Sequence, residues 1–276
     1  TFADVLRDFY AREPERVSIT LQHSNQPDIP ITYRELVERA NDYAVAYARE
    51  GINPGDVVIL IIQHGMDLMY SYWGAILRGA IPSIMPFQTE KLSPDCYRAD
   101  IAALFTHSRP AGVVTYPEFE ADIRMMIAES GASVRKVFIT NRIPRQAELD
   151  FSTLPGSQRR ETDIALLQHS SGSTGLQKGV ALSHQAVFNQ LNAYAETIQL
   201  KQEDVIVSWL PLYHDMGLIA CFLMPILRGV QVVQMSPFDW VRAPYRLLRS
   251  ISQYRGTLTW LPNFAYNFCA QKIRDR

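Results

Sequence analysis

Apolar positions along this chain alternate between two spacings, one helical and one of short continuous runs. Residues 1–12 put Phe2, Val5, Leu6 and Phe9 on one helical face. Two β-rich runs follow, 17–23 and 29–32, separated by a turn-forming SNQPD, which predicts a hairpin. Thr32, with Glu35 three residues on, has the form of a capping box. The helix it opens runs to about residue 50, with Leu36, Ala40, Tyr43, Ala44 and Tyr47 on its apolar side and Gly51 in the position of a C-terminal cap. The runs at 57–62 and 81–85 are apolar without alternation, as in strands buried on both faces of a parallel sheet. A helix over 67–78 joins them into a βαβ unit, and the pattern repeats as helix 98–107, strand 112–115, helix 117–131 and strand 137–140. Residues 141–163 are polar with little periodicity and read as a linker. Beyond them come strands at 164–167 and 180–182 and a helix over 184–198 capped by Ser183. Strand 205–208, helix 216–227, strand 230–234, helix 243–253, strand 258–261 and helix 265–274 complete the series. This alternation predicts an α/β chain with two doubly wound, largely parallel sheets and helices on both faces. The expected division is a first α/β subdomain over 1–140, the linker over 141–163, and a second α/β subdomain over 164–276.

Composition narrows the classes. The 276 residues are 47% hydrophobic and 20% charged, a globular balance, and the net charge of −1 gives no global basic field for nucleic acid. The longest apolar stretch, 216–227, contains Pro225 and ends at Arg228, too short to span a bilayer, so no transmembrane segment is expected. Cys96, Cys221 and Cys269 are too few and too scattered for a disulfide framework or a metal site. No leader-like segment stands out, and a cytoplasmic location is the expectation.

The chemistry concentrates at 170–179, where ten residues hold seven Ser, Thr or Gly and one Lys between two strand-like runs. Small side chains let backbone N–H groups approach a ligand; Ser170, Ser171, Ser173 and Thr174 add hydroxyls and Lys178 a positive charge, which suits a polyphosphate. The spacing is not that of a Walker loop, since Gly179 and a strand follow the Lys where that motif requires a helix. The competing readings are a flexible Gly/Ser linker and a plain hairpin turn.

A second concentration is SWLPLYHDMGL at 208–218, between a strand and a buried helix. His214 and Asp215 can be a base and its orienter, a pocket wall in which His214 donates to a carboxylate, or a polar turn in which Asp215 caps the next helix. No Gly-x-Ser-x-Gly elbow and no His-Glu-x-x-His spacing is present. A third stretch, WLPNFAYNF at 260–268, gathers Trp260, Phe264, Tyr266 and Phe268 around Asn263, as core or as an apolar ligand wall. His169 and His184 flank the small-residue loop, each as a packing residue or a phosphate neighbour, with packing the favoured reading.

Together these stretches resemble the adenylate-forming superfamily of acyl-CoA synthetases, peptide-synthetase adenylation domains and firefly luciferase. SSGSTGLQKGV is similar to its phosphate motif, and ITYREL and GDVVILII…GAILRGAIPSIMP to its early motifs. WLPLYHDMGL and LPNFAYNFC look most like the fatty acyl-AMP ligases, which pass long-chain acyl adenylates to acyl carrier proteins. The resemblance implies a layered α/β/α/β/α N-terminal domain, truncated, using ATP and Mg²⁺ on a fatty acid, with an acyl carrier protein (or CoA) as acceptor. It implies that Ser170, Ser171, Gly172, Ser173, Thr174, Gly175 and Lys178 hold the ATP phosphates, Thr174 approaching Mg²⁺. His214 and Lys178 would be catalytic. Trp209, His214, Asp215, Met216, Gly217, Asn263 and Phe264 would border the substrate. Gln177 stands where the family often has Pro, a loss of φ restraint but not of a ligand. The family's adenine-binding segment, acidic Mg²⁺ ligand, ribose-binding Asp and C-terminal catalytic Lys are not in this sequence, so the chain is expected to be an N-terminal fragment that needs the missing C-terminal domain. A long-chain acyl-CoA synthetase and a non-catalytic acyl- or partner-binding module of the same fold are the alternatives.

Overall fold

The computed structural model describes residues 1–88, 93–170 and 178–273; of Ser170 and Lys178 it describes the strand backbone alone. In chain order the strands are β1 Val17–Gln22, β2 Ile29–Thr32, β3 Val57–Ile61, β4 Ile81–Ile84, β5 Gly112–Thr115, β6 Lys136–Ile139, β7 Ile164–Ser170, β8 Lys178–Ser183, β9 Val205–Ser208 and β10 Gln231–Met235. The α-helices are α1 Phe2–Arg12, α2 Tyr33–Arg49, α3 Met66–Arg78, α4 Pro94–Ser108, α5 Glu120–Ser130, α6 His184–Thr197, α7 Met224–Arg228, α8 Pro237–Arg242, α9 Tyr245–Tyr254 and α10 Asn263–Lys272. The chain divides into two compact units, residues 1–8 with 36–186 and residues 9–35 with 187–276.

The first unit is built on a parallel sheet in the order β4-β3-β5-β6. Its strands carry apolar residues on both faces because both are covered. Ile59, Ile61, Val113, Val137 and Ile139 pack with Tyr97, Ile101, Leu104 and Phe105 of α4 and Ile123 and Met126 of α5. On β6 the intervening Phe138 points the other way and meets Tyr47 of α2 edge-on, with ring centroids 4.9 Å apart. Period-two alternation thus sends neighbouring residues to helices on opposite faces. The 141–163 stretch is held rather than loose: Asn41 donates to the Glu148 carbonyl at 3.1 Å, the Gln146 N–H donates to Asp42 at 2.7 Å, and Leu154 is buried. Its backbone forms short 3₁₀ turns at Thr140–Arg142, Phe151–Thr153 and Pro155–Gln158.

In the second unit the sheet order is β2-β1-β10-β9, with β1 antiparallel to β2 and parallel to β10. The expected 17–32 hairpin is present, but it pairs with strands about two hundred residues later instead of with the 57–140 strands it was grouped with. Periodicity reveals that a strand exists and says nothing about its lateral partner. The expected 258–261 strand is reduced to one bridge from Leu258 to Ile206, closed by Thr257 N–H to Val205 O and Val207 N–H to Leu258 O. Gly256 before it and Pro262 after it leave little room for a longer ladder. The expected 243–253 helix is preceded by α8, which Ser236 caps by accepting from Phe238 N–H.

His184 begins α6 and is 3% exposed. Its Nδ1 accepts from the Phe2 N–H at 3.3 Å, and its ring meets Phe2 edge-on at 4.6 Å. Packing is therefore its role, and burial pushes its pKa from 6.5 down to about 4. The folded chain keeps this imidazole neutral while the unfolded chain binds a proton. The contribution to stability is therefore complete above about pH 6.5 and is lost as the pH falls towards 4, by at most about 3 kcal/mol. Urea midpoints from pH 7.5 to 4.5 are expected to fall less steeply for His184→Asn than for the parent chain; parallel curves would remove His184 from the acid response.

Candidate functional site

The small-residue loop closes a hairpin. β7 and β8 pair antiparallel in the register Leu166↔Leu182, Leu167↔Ala181, Gln168↔Val180, His169↔Gly179 and Ser170↔Lys178. The last pair brings the two ends of the 171–177 segment together as cross-strand neighbours, about 5 Å apart. Ser171, Gly172, Ser173, Thr174 and Gly175 lie outside the described residues, as does the expected approach of Thr174 to Mg²⁺. A linker would not return in register, and a seven-residue connection exceeds the two to five of ordinary hairpin loops. The strand backbone of Ser170 and Lys178 therefore forms the base of a long, small-residue loop. Among the described residues no cluster of three His, Cys, Asp or Glu side chains could hold a metal ion.

In the second unit β9 ends at buried Ser208, whose hydroxyl accepts from Leu210 N–H at 3.1 Å. The chain then turns sharply: His214 N–H donates to Pro211 O, and Leu218 N–H to His214 O. Residues Met216–Leu223 form a π-helix continuous with α7, the wide turn visible in the bond from Met224 N–H to Ile219 O. The expected 216–227 helix is present with this wider pitch. Within it the Cys221 carbonyl accepts from the buried Gln234 amide of β10 at 2.5 Å. Such widened turns recur at functional sites because they reposition the residues before them.

The three readings of the His214–Asp215 pair now separate in part. Asp215 caps the π-helix, Oδ1 accepting from Met216 N–H at 2.7 Å, as the polar-turn reading expects. His214 is exposed, with its ring against Tyr213 at 4.9 Å. Gly217 is where the turn closes on itself: a Cβ there would sit 2.2 Å from the Pro211 carbonyl oxygen. Met216 is exposed beside it.

Trp209, the residue after β9, is buried and stacks face to face on Trp240 of α8, centroids 3.7 Å apart and planes 5° apart. Phe264 at the start of α10 stands edge-on to both indoles at 6.3 Å, and 59% of its surface is exposed. The structure thus joins Trp209 and Phe264 in one aromatic wall, with exposed Asn263 at its rim. Trp240 is the member that sequence reading missed. The only hint was an aromatic in the Ser-Pro-capped FDWV after β10, which by itself reads as ordinary core.

Residues 6–276 match the AMP-binding enzyme family. The chain belongs to that family. A long-chain-fatty-acid–AMP ligase of Mycolicibacterium smegmatis is 27% identical over 249 residues, 88% of this chain and 38% of that protein. A medium-chain-fatty-acid–[acyl-carrier-protein] ligase of Moorena producens is 23% identical over 258 residues, 91% of this chain and 42% of that protein. Among solved structures, a fatty acyl-adenylate ligase from L. pneumophila in complex with acyl adenylate and pyrophosphate aligns with a TM-score of 0.83 at 29% identity. The alignment covers 100% of this chain and 46% of that one. The AMP-binding chain thus spans less than half the length of each of these three relatives. Its mixed α/β architecture with parallel sheets is that of these enzymes. No described helix is long and apolar enough to cross a membrane.

Gly217 generates a direct expectation. Gly217→Ala forces the Pro211 carbonyl and the π-helix apart and is expected to cost about 1–3 kcal/mol, read as a lowered urea midpoint. An unchanged midpoint would show that the turn yields without cost.

Proposed function

We propose that this AMP-binding chain takes part in the ATP-dependent activation of a fatty acid to an acyl adenylate with release of pyrophosphate. The acyl group then passes to an acyl carrier protein. The observation that carries the reading is the hairpin: a long loop of hydroxyl-bearing and glycine residues, closed at its base by the Ser170↔Lys178 pair. The similarity to ligases named for fatty acyl adenylates supports the acid as the partner substrate, and the Moorena producens relative supports the carrier protein as acceptor.

The roles follow from charge. The carboxylate that attacks and the triphosphate that is attacked are both anions, so the barrier falls through positioning and neutralisation. Ser170, Ser171, Gly172, Ser173, Thr174 and Gly175 would hold the β- and γ-phosphates by hydroxyl and N–H donors. Lys178 would offset the charge that builds on the departing pyrophosphate. Mg²⁺, approached by Thr174, would supply further neutralisation when bound. His214 would face the acyl carboxylate, with Asp215, Met216 and Gly217 fixing its turn and Trp209, Asn263 and Phe264 bordering the acyl group. Groups for adenine, ribose and the acidic metal ligand would come from the remainder of the protein, so the 276 residues alone would not turn over. ATP as a substrate fits the cytoplasm.

In the full-length protein, Lys178→Ala is expected to slow ATP–pyrophosphate exchange by the equivalent of about 2.7–4 kcal/mol while leaving fatty-acid affinity near that of the parent. Undiminished exchange would remove Lys178 from the chemistry. Transfer of the acyl group from the adenylate to CoA, with release of AMP, in place of transfer to a carrier protein would identify an acyl-CoA synthetase, and absence of exchange in the parent enzyme a binding module.

A further inference from the structure

Within eight residues, α8 and α9 put three large apolar side chains in the open: Val241 at 43%, Tyr245 at 52% and Leu248 at 50%. Val241 lies at the end of α8. Tyr245, Leu248, Arg249 and Ser252 stand at i, i+3, i+4 and i+7, which is one face of α9. The opposite face is turned to the core: Leu247 and Ser250 are buried, and Ile251 and Tyr254 pack with the cluster that holds Trp209 and Trp240. Two bonds fix the helix from that side. The Ser250 hydroxyl donates to the Gln22 side-chain oxygen at 2.6 Å, and the Arg246 guanidinium donates to the His23 carbonyl at 3.1 Å. α9 is therefore held from within while a tyrosine and a leucine face out.

The charge along this stretch has one sign. Residues 240–273 contain Arg242, Arg246, Arg249, Arg255 and Lys272 and no Asp or Glu, in a chain whose 27 basic and 28 acidic residues nearly balance overall. Two carboxylates reach these helices, and both are engaged by neutral donors. Asp239 accepts from the Ser24 N–H at 2.9 Å, and Asp28 accepts from the Gln22 and Gln253 amides and the Tyr254 hydroxyl. Arg242 and Arg249, three residues before and four after Tyr245, are exposed. Tyr and Arg around an apolar centre is the composition enriched where proteins bind proteins. The sign of the charge selects an acidic partner.

We propose that this face docks the acyl carrier protein, through a carrier surface that presents carboxylates around an apolar centre. This rests on the reading of the chain as part of a ligase that passes its acyl group to such a carrier. Position supports the occupant. Val241 and Arg242 follow directly on Trp240, whose indole stacks on Trp209 in the wall proposed to border the acyl group. From there α9 extends ten residues, about 15 Å. A carrier seated on it has the acyl group beside it and needs only a thiol on a flexible arm to reach it. The thiol sulfur bonds to the acyl carbon, the bond from that carbon to the phosphate oxygen breaks, AMP leaves with the electron pair, and the thiol proton passes to solvent. The arginines steer and orient the encounter, and Tyr245 and Leu248 hold the partner once seated.

The experiment takes the full-length protein and an acidic acyl carrier protein, and reads the KM for the carrier in acyl transfer alongside ATP–pyrophosphate exchange. Tyr245→Ala and Leu248→Ala are each expected to raise that KM about fivefold or more, as loss of a central interface contact does, with exchange unchanged. Arg242→Glu and Arg249→Glu should raise it by a similar factor at low salt. The KM of the parent should climb with ionic strength more steeply than theirs. A parental KM in all four variants overturns the docking surface. So does a parallel loss of exchange and transfer, which would mean that the remainder of the protein covers α9. So does a concentration-dependent dimer that Leu248→Ala dissolves, which would make the face a contact between copies. A parent enzyme that performs exchange but acylates no carrier protein ends the acceptor reading and this inference with it, whereas transfer at an unchanged KM ends this inference alone.

Discussion

An isolated two-stranded hairpin is marginal in water, and the candidate site in the first unit is the tip of one. β7 and β8 bond to each other, so the hairpin persists by burying one strand against β4 while much of β8 faces solvent. That asymmetry decides where information about the loop resides. Ala165 and Leu166 supply the apolar contact, the 161–185 backbone bonds close the root, and the Ser83–His169 bond secures the upper end.

The second unit solves a similar problem with aromatics. β9 ends at Ser208, and the next residue, Trp209, is immobilised by a face-to-face stack on Trp240. From that fixed point the chain must reverse within a few residues and enter an apolar helix. Gly217 allows the close approach to Pro211, Asp215 satisfies the first helical N–H, and the wide π-turn leaves the Cys221 carbonyl to be taken up by Gln234. Each of these costs something in isolation: a glycine in a helix, an exposed cap, a buried amide. Together they set the turn on whose exposed side His214 lies, its ring against Tyr213.

Most of the first unit was legible because its strands are buried on both faces and its helices carry local punctuation. In the first unit Gly51 has the positive φ of 73° that ends α2, and in the second the cap predicted from Thr32 and Glu35 appears as Glu35 N–H to Thr32 Oγ1 at 3.2 Å. The hairpin was legible too, since two apolar runs around a small-residue segment leave few alternatives. What was not legible is lateral. No period in residues 17–22 says that they pair with 232–235, and nothing in Trp240 distinguishes a partner for Trp209 from any buried indole. The π-pitch of 216–223 is equally silent, because its apolar residues satisfy the pattern of an ordinary buried helix. The stretch at 141–163 misled in the opposite sense: polar sequence suggests a free linker, but Asn41 and Asp42 of α2 take up its backbone groups.

The strand that follows Lys178 has a chemical consequence. Many phosphate sites place the anion at a helix N-terminus, where unsatisfied N–H groups and the macrodipole supply about half a positive charge without any side chain. Here the chain after Lys178 continues as β8, paired in a ladder with β7, and not as a helix. Neutralisation on the proposed reading must then come from the Lys178 ammonium, the loop's own N–H and hydroxyl donors, and a bound cation.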